Sequence, residues 1–152
     1  MFEARIAELG LNIPVVPAPL AAYVPAVRSG DFVYTSGQLP FLNGELIAVG
    51  QVHAELDIDS AVACARQCAL NALAALKTVI GSLDDVEQIV KVTGFVAAPS
   101  DFSQHPLVVN GASELLGEIF KDAGKHARSA VGVSSLPMNA PVELEMVVRI
   151  RS

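Results

Sequence analysis

Hydrophobic residues recur along this chain with a helical period in two segments. The spacing over Ile58–Ile80 predicts a long helix, which Asp57 or Asp59 can cap and Gly81 can end. A second helix is predicted over residues 106–123. Small residues dominate the apolar stripe of the first helix, which allows close packing on a sheet. The stripe comprises Ala61, Cys64, Ala65, Cys68, Ala69, Ala72, Leu73 and Leu76, whereas Arg66, Gln67, Asn71 and Lys77 are predicted to lie mostly away from it.

Period-two alternation and turn residues predict strands on both sides of these helices. Residues 23–27 and 32–38 are predicted as strands around the turn "RSGD", and residues 89–97, apolar on both faces, as a central strand. The final strand has one apolar face and one mixed face. The apolar face comprises Val142, Leu144, Met146, Val148 and Ile150, and the mixed face comprises Glu143, Glu145, Val147 and Arg149.

The N-terminal third contains shorter elements. "MFEARIAELG" predicts a short amphipathic helix with Phe2, Ile6 and Leu9 on one face, ending at Gly10. The prolines of "IPVVPAPLAAYVPAV" favour an extended path. Residues 41–56 are predicted to form a long loop that carries an Asn-Gly hairpin signal.

The order ββ-α-β-α-ββ predicts an α+β fold, with a single domain over residues 1–152. Residues 1–20 would add the N-terminal helix and the proline-rich extension. Two helices can cover only one face of the sheet, and only 17% of the residues are charged against 52% that are hydrophobic. We therefore expect the other face to be buried against another subunit.

Charge and hydropathy narrow the classes of partner. Ten basic residues against sixteen acidic ones give a net charge of −6, and no Lys/Arg cluster occurs, which disfavours nucleic-acid binding. No apolar run approaches ~20 residues, so no membrane segment is expected. The first ten residues lack a hydrophobic signal core, which favours a cytoplasmic protein.

The two cysteines are one helical turn apart in the first helix. Helical spacing is poor for a structural disulfide, so buried thiols are the favoured interpretation, with a metal or redox pair as the alternative. His53, His105 and His126 show no ligand spacing. We therefore predict no metal and no cofactor.

The segment "HARSAVGVSSLPMNAPVELEMVVRI" places an arginine at the start of one strand and two glutamates in the next. We interpret these as neighbouring strands, with Arg128, Glu143 and Glu145 near one another. An arginine fork can clamp a small carboxylate through two parallel bonds. The alternative is a structural salt bridge between Arg128 and one of the glutamates. His126 projects to the same side as Arg128, at a strand end expected to be solvent-exposed.

The chain resembles the RidA/YjgF family of reactive-intermediate deaminases, also labelled endoribonuclease L-PSP. The resemblance extends from about residue 21 to residue 149. It rests on "YVPAV" and "VYTSGQLP" near the N-terminus, "ARQCALNALAAL" in the first helix, and "ARSAVGVSSLP" followed by "VELEMVVRI". Neither "TSGQ-P" nor "ARS-V-V--LP" would suffice alone, but the two in this order are specific.

The resemblance implies a chorismate-mutase-like α+β fold with two main helices on one face of a mixed sheet. It further implies a homotrimer whose sheets form a central barrel, with clefts between subunits. In the deaminating members, an arginine at the position of Arg128 holds the substrate carboxylate, and a glutamate at that of Glu143 helps to position the attacking water. Positions that contact the substrate or line the cleft in relatives correspond to Tyr23, Ser36, Gly37, Asn110 and Ala130.

The family's substrates are 2-imino acids and their enamine tautomers, such as 2-aminoacrylate, which are hydrolysed to 2-oxoacids and ammonia. An iminium carbon is already electrophilic, so positioned water and modest proton transfer suffice. Ser36 is not predicted to be a nucleophile, because no histidine is expected near it.

The chain departs from the family pattern at several positions. Ala130 stands where deaminating relatives commonly carry cysteine, Gly132 replaces an acid, and Ala21-Ala22 replaces Gly-Pro. The N-terminal helix and the loop over residues 41–56 are longer than in compact members. Three hypotheses stay open at this point: an imine hydrolase, a non-catalytic binder of small carboxylates, and the ribonuclease of the older family label.

Overall fold

A five-stranded mixed sheet forms the centre of the computed structural model, which describes residues 1–16 and 22–152. Its strands lie in the order β1-β2-β7-β5-β6. They are β1 (Ala26–Ser29), β2 (Phe32–Thr35), β5 (Val86–Ala97), β6 (Ala127–Val133) and β7 (Val142–Ile150). A separate two-stranded hairpin consists of β3 (Phe41–Leu42) and β4 (Glu45–Leu46). The helices are α1 (Phe2–Glu8), α2 (Ile58–Ile80) and α3 (His105–Phe120). The predicted α+β class is confirmed.

Helix α2 matches its prediction at both ends. The Asp57 carboxylate accepts a hydrogen bond from the backbone N–H of Ser60 at 2.7 Å, and Gly81 ends the helix with φ 79°. Every residue of the predicted small-residue stripe is buried. The prediction was wrong for Asn71, which is also buried. Its side-chain amide donates to the carbonyl oxygens of Leu39 and Phe41, both at 2.9 Å, because the loop after β2 crosses the helix there.

The apolar face of β7 lies beneath the helices, as predicted. All five residues of that face are buried. Helix α2 contacts β7, β1 and β2, whereas α3 contacts β5 and β6. The opposite face of the sheet carries no helix of the described chain. It exposes Val27, Tyr34 and Val131, each more than two fifths accessible.

Strands β6 and β7 are not neighbours, contrary to the interpretation from sequence. Strand β5 lies between them, parallel to β6 and antiparallel to β7. Parallel strands require a crossover connection, which α3 supplies between β5 and β6. The segment 134–141 then crosses the end of β5, where Ala97 N–H donates to Pro141 O at 2.9 Å and Ala98 N–H donates to Val133 O at 3.0 Å.

Several element ends differ from their predictions. Strand β1 begins three residues late, and β2 ends at Thr35, with Gln38 forming an isolated bridge to Leu144. Helix α3 ends at Phe120 and is followed by a 3-10 turn, Lys121–Gly124. In α1, Phe2 and Ile6 are buried, but Leu9 is exposed. Part of the predicted proline-rich extension, residues 17–21, lies outside the described residues.

The predicted hairpin within residues 41–56 is confirmed. Asn43 and Gly44 join β3 to β4 with φ values of 55° and 83°, the left-handed conformation that an Asn-Gly turn requires. No helix in the part of the chain that the structure describes is long and apolar enough to span a membrane.

Candidate functional site

Arg128 is held in a fixed orientation by two uncharged side chains of α3. Its Nη1 donates to Asn110 Oδ1 at 2.8 Å and to Ser113 Oγ at 3.2 Å. The two partners are three residues apart on the helix, so both face strand β6. The intrachain salt bridge to Glu143 or Glu145 left open by the sequence does not form among the described residues. Arg128 therefore has no ionic partner among the described residues, while its orientation is fixed.

The hydrogen bonds of the Arg128 guanidinium to the described residues involve only one of its three nitrogens. A guanidinium has five N–H groups, of which Nη1 carries two. Both Nη1 hydrogens are used by Asn110 and Ser113. Within residues 1–16 and 22–152, Nε and Nη2 have no acceptor. In an arginine these two nitrogens present parallel N–H groups, a geometry that can bind the two oxygens of a carboxylate.

The backbone of β6 is also available beside Arg128, because β6 is an edge strand in the sheet that residues 1–16 and 22–152 form. The Val133 carbonyl bonds towards β5, and backbone groups alternate in direction along a strand. The N–H and C=O groups of Arg128, Ala130 and Gly132 therefore point away from β5, to the free edge. Ala130 thus places backbone donor and acceptor groups on the edge that carries the arginine.

Glu143 lies on the helix-free face of β7, against Gly37. A β-carbon at position 37 would overlap the Glu143 carboxyl group, so only glycine leaves room for it. Glu143 is half-buried. Burial, and secondarily the neighbouring Glu145 carboxylate, raise the pKa of Glu143 above the ordinary glutamate value. The group is therefore a stronger base when ionised than an exposed glutamate.

Ser36 connects the segment beside Glu143 to the loop that carries Tyr23. Its hydroxyl donates to Val24 O at 2.6 Å, and its backbone N–H donates to Pro25 O at 2.8 Å. Tyr23 itself is 68% exposed. Ser36 therefore fixes the position of the Tyr23 loop next to Gly37 and Glu143.

The predicted site residues form two separate groups within one chain. The Arg128 group comprises Arg128, Asn110 and Ala130, and the Glu143 group comprises Glu143, Gly37, Ser36 and Tyr23. Residues that are paired in register on adjacent strands have side chains on the same face of the sheet. Arg128 pairs with Val92 on the face that the helices cover, whereas Glu143 pairs with Phe95 on the helix-free face. Their strands are two spacings apart, about 10 Å. The expectation that Arg128 and Glu143 lie together on adjacent strands of one chain was wrong, because β5 separates them.

Sequence reasoning missed Ser113 and the role of His126 beside it. His126 is half-buried rather than exposed; its Nε2 lies 2.9 Å from Ser113 Oγ, and its Nδ1 lies 2.6 Å from Gly124 O. The three-residue spacing from Asn110 could have indicated Ser113, since such pairs share a helix face. Nothing in the sequence indicates the contact with Gly124.

The two cysteines are buried free thiols in α2, as predicted. Burial raises the pKa of the Cys64 thiol to about 11. Burial also raises the pKa of Cys68 well above its ordinary value, and Cys68 Sγ donates to Val142 O at 3.7 Å. Both thiols are therefore protonated core groups at neutral pH. No three potential metal-binding side chains converge among the residues that the structure describes.

Comparison with known proteins agrees with this fold and places the chain in a family. The family described as "YjgF/chorismate_mutase-like, putative endoribonuclease" matches residues 3–148. The chain belongs to this family, the RidA/YjgF family that its motifs resemble.

Three similar proteins illustrate the range of the family. Atu1372, a protein of unknown function from Agrobacterium tumefaciens, is 41% identical in sequence to this chain. Its crystal structure matches this one with a TM-score of 0.91, and the match covers 99% of this chain and 94% of that one. A 2-iminobutanoate/2-iminopropanoate deaminase from Dermatophagoides farinae is 31% identical over 92% of this chain and 94% of its own length. Escherichia coli TdcF, solved with bound serine, is 29% identical with a TM-score of 0.60, covering 91% of this chain and 93% of that one.

Proposed function

We propose that this chain hydrolyses 2-imino acids and their enamine tautomers to 2-oxoacids and ammonia, in a cleft between two copies of a homotrimer. One observation carries the proposal. The Arg128 guanidinium is held by Asn110 and Ser113 through Nη1 alone, which leaves Nε and Nη2 for a carboxylate.

The Arg128 group is better suited to binding a small carboxylate than an arginine engaged in a surface ion pair would be. Asn110 and Ser113 fix the guanidinium without neutralising it, so the side chain is preorganised before a ligand arrives. Two parallel N–H groups match the two oxygens of a carboxylate and fix its plane. The free backbone groups at Ala130 can then contact the atoms next to the carboxylate.

The Glu143 group suits activation of water. A glutamate with a raised pKa accepts a proton more readily when ionised than an exposed glutamate does. Gly37 gives its carboxyl group room on the open face. Tyr23, on the loop fixed by Ser36, can cover the bound substrate.

The two groups can form one site only if they come from different copies of the chain. They lie on opposite faces of the sheet, and among the described residues one edge of β6 has no partner strand. The helix-free face exposes apolar side chains that a second copy would bury. A closed three-fold ring can join an Arg128 group to a Glu143 group at every boundary between subunits and bury the helix-free face of each copy. Each copy then supplies its Arg128 group to one neighbour and its Glu143 group to the other.

The reaction requires few catalytic groups. In the protonated imine, Glu143 takes a proton from water as the water oxygen bonds to the imine carbon, and the C=N electron pair moves to nitrogen to give a neutral carbinolamine. Glu143 then returns that proton to the nitrogen, which leaves as ammonia while the hydroxyl proton passes to solvent water and the C–O bond becomes a carbonyl. The iminium carbon is already electrophilic, so neither a covalent intermediate nor a metal is needed.

The named relatives support this substrate class. The similar Dermatophagoides farinae protein is a 2-iminobutanoate/2-iminopropanoate deaminase, and TdcF was solved with bound serine, an amino acid with a free carboxylate. Both ligand types place a carboxylate next to a carbon that bears nitrogen. The free fork of Arg128 has the geometry to bind that carboxylate.

The alternative function is a non-catalytic binder of small carboxylates. The observation that favours it is that Arg128, held by Asn110 and Ser113, could bind a carboxylate without the help of a general base. Ala130 also supplies no thiol. Ribonuclease activity is less consistent with a net charge of −6 and the absence of any Lys/Arg cluster in the sequence.

The direct test is ammonia release from 2-aminoacrylate generated in situ. We expect the wild-type protein to accelerate the release over the spontaneous rate, and Arg128→Ala to bring it back close to that rate. A wild type that binds 2-oxobutyrate but leaves the release unchanged would show the non-catalytic binder instead. A wild type that does neither would remove both functions.

A further inference from the structure

The hydrogen bonds behind Arg128 continue through Ser113 to His126, and their direction is determined at each step. His126 Nδ1 lies 2.6 Å from Gly124 O, which can only accept, so Nδ1 carries a hydrogen. The Arg128 guanidinium can only donate, so it occupies a lone pair of Ser113 Oγ. His126 Nε2 lies 2.9 Å from the same oxygen. In the neutral histidine, Ser113 must therefore donate its hydrogen to Nε2.

We propose that His126 is a positioning residue, which orients Arg128 through Ser113. A serine hydroxyl rotates freely and can turn either its hydrogen or a lone pair towards a neighbour. By accepting that hydrogen, His126 keeps a Ser113 lone pair directed at Nη1. The inference rests on the proposed function, because the orientation of Arg128 matters only if its free fork binds a ligand.

The local fold holds His126 in place for this contact. The 3-10 turn Lys121–Gly124 returns the chain against the end of α3, and a β-carbon at Gly124 would lie 2.5 Å from Leu116 O. Only glycine allows this approach, which brings the Gly124 carbonyl to the imidazole. The side chain of Gln88 donates to the Lys125 carbonyl and so fixes the residue before the histidine.

The contact depends on hydrogen-bond direction and not on a charge pair. A cavity of about 540 Å³ lies beside His126, and its charged lining residues are Lys121, Asp122 and Lys125. Asp122 pairs with Lys125 at 3.2 Å. Both ring nitrogens of His126 contact uncharged partners, Ser113 and the Gly124 carbonyl. Within the chain of bonds itself, Arg128 is the charged member.

A double-mutant cycle on 2-oxobutyrate affinity tests the proposal. The affinity would be measured by titration calorimetry at about pH 8, where an ordinary histidine is neutral. His126→Leu should weaken binding about fivefold, which corresponds to one net hydrogen bond. His126→Gln should retain most of the affinity, since its amide oxygen can accept the same hydrogen. In a Ser113→Ala background, His126→Leu should add no further loss.

Two results of this affinity cycle would overturn the proposal. Equal losses of affinity in His126→Leu and His126→Gln would assign the residue to packing, and additive losses in the double variant would show that it does not act through Ser113.

Nitrogen-15 NMR gives a readout that needs no ligand: we expect the Nδ1–H tautomer of His126, and a shifted or broadened Arg128 Nε–H signal in His126→Leu. An Nε2–H tautomer, or an unchanged Arg128 signal, would contradict the proposal. If the wild type neither binds 2-oxobutyrate nor accelerates ammonia release, the proposed function fails, while the NMR result still decides the role of His126.

Discussion

Arg128→Ala should lower the affinity for pyruvate or 2-oxobutyrate by ~30- to ~1000-fold. This range corresponds to roughly 2–4 kcal/mol for a bidentate arginine–carboxylate bond in a partly dry cleft. Arg128→Lys should fail almost as badly, because an ammonium keeps the charge but cannot form two parallel bonds or use both Asn110 and Ser113 in the same way. Titration calorimetry measures all three proteins.

The matched control is Arg66→Ala, which removes an arginine from the outer surface of α2. Arg66 pairs with Glu118 at 3.5 Å, and both side chains are substantially exposed. Its loss changes the net charge equally but should leave 2-oxoacid affinity unchanged. If Arg128→Ala binds as tightly as the control, Arg128 serves only to connect β6 to α3.

Glu143→Gln should preserve binding of the 2-oxoacid while turnover of the imine falls by roughly 10²- to 10⁴-fold, the usual contribution of a general base. Glutamine has the same shape and still fits against Gly37, but it cannot take a proton from water. Because the pKa of Glu143 is raised, wild-type turnover should fall with decreasing pH at a value above the ordinary glutamate range, ~4.3. A pH–rate profile and a binding titration measure both effects.

Glu145→Gln is the matched control for this variant. Glu145 lies on the same face of β7 but is exposed. Its removal should keep turnover and move the acidic limb of the profile to lower pH, since the Glu145 carboxylate is the second cause of the raised pKa of Glu143. Equal loss of turnover in both variants would contradict the assignment of Glu143 as the base.

The helices and the buried face of β7 could be predicted because local patterns determine them. The small-residue stripe of α2 and the alternation from Val142 to Ile150 both record burial on one side. Strand order could not be predicted in the same way. An eight-residue connection over 134–141 can close a hairpin or cross a third strand, and the local pattern does not distinguish the two. In the structure, the α3 crossover brings β6 to one edge of β5, and β7 pairs with the other edge.

The site could be predicted only in part for a related reason. The motif singles out Arg128 as a candidate to bind a carboxylate. Asn110 became a candidate only through the family resemblance, and the contact of Arg128 with Ser113 was not foreseen. The contact of His126 with Gly124 depends on a 3-10 turn that no local pattern records. The opposite-face placement of Glu143 depends on the register of β5 with both neighbours.

The central claim is that Arg128 of one copy and Glu143 of another form each catalytic site, and subunit mixing tests it most directly. Arg128→Ala and Glu143→Gln, each inactive alone, would be unfolded together in equal amounts and refolded. Random assembly of a closed three-fold ring should restore about a quarter of wild-type activity, because each mixed trimer contains one site with both residues intact. Refolding each variant alone is the control. Mixed protein of trimeric mass that stays as inactive as its parents would contradict the account.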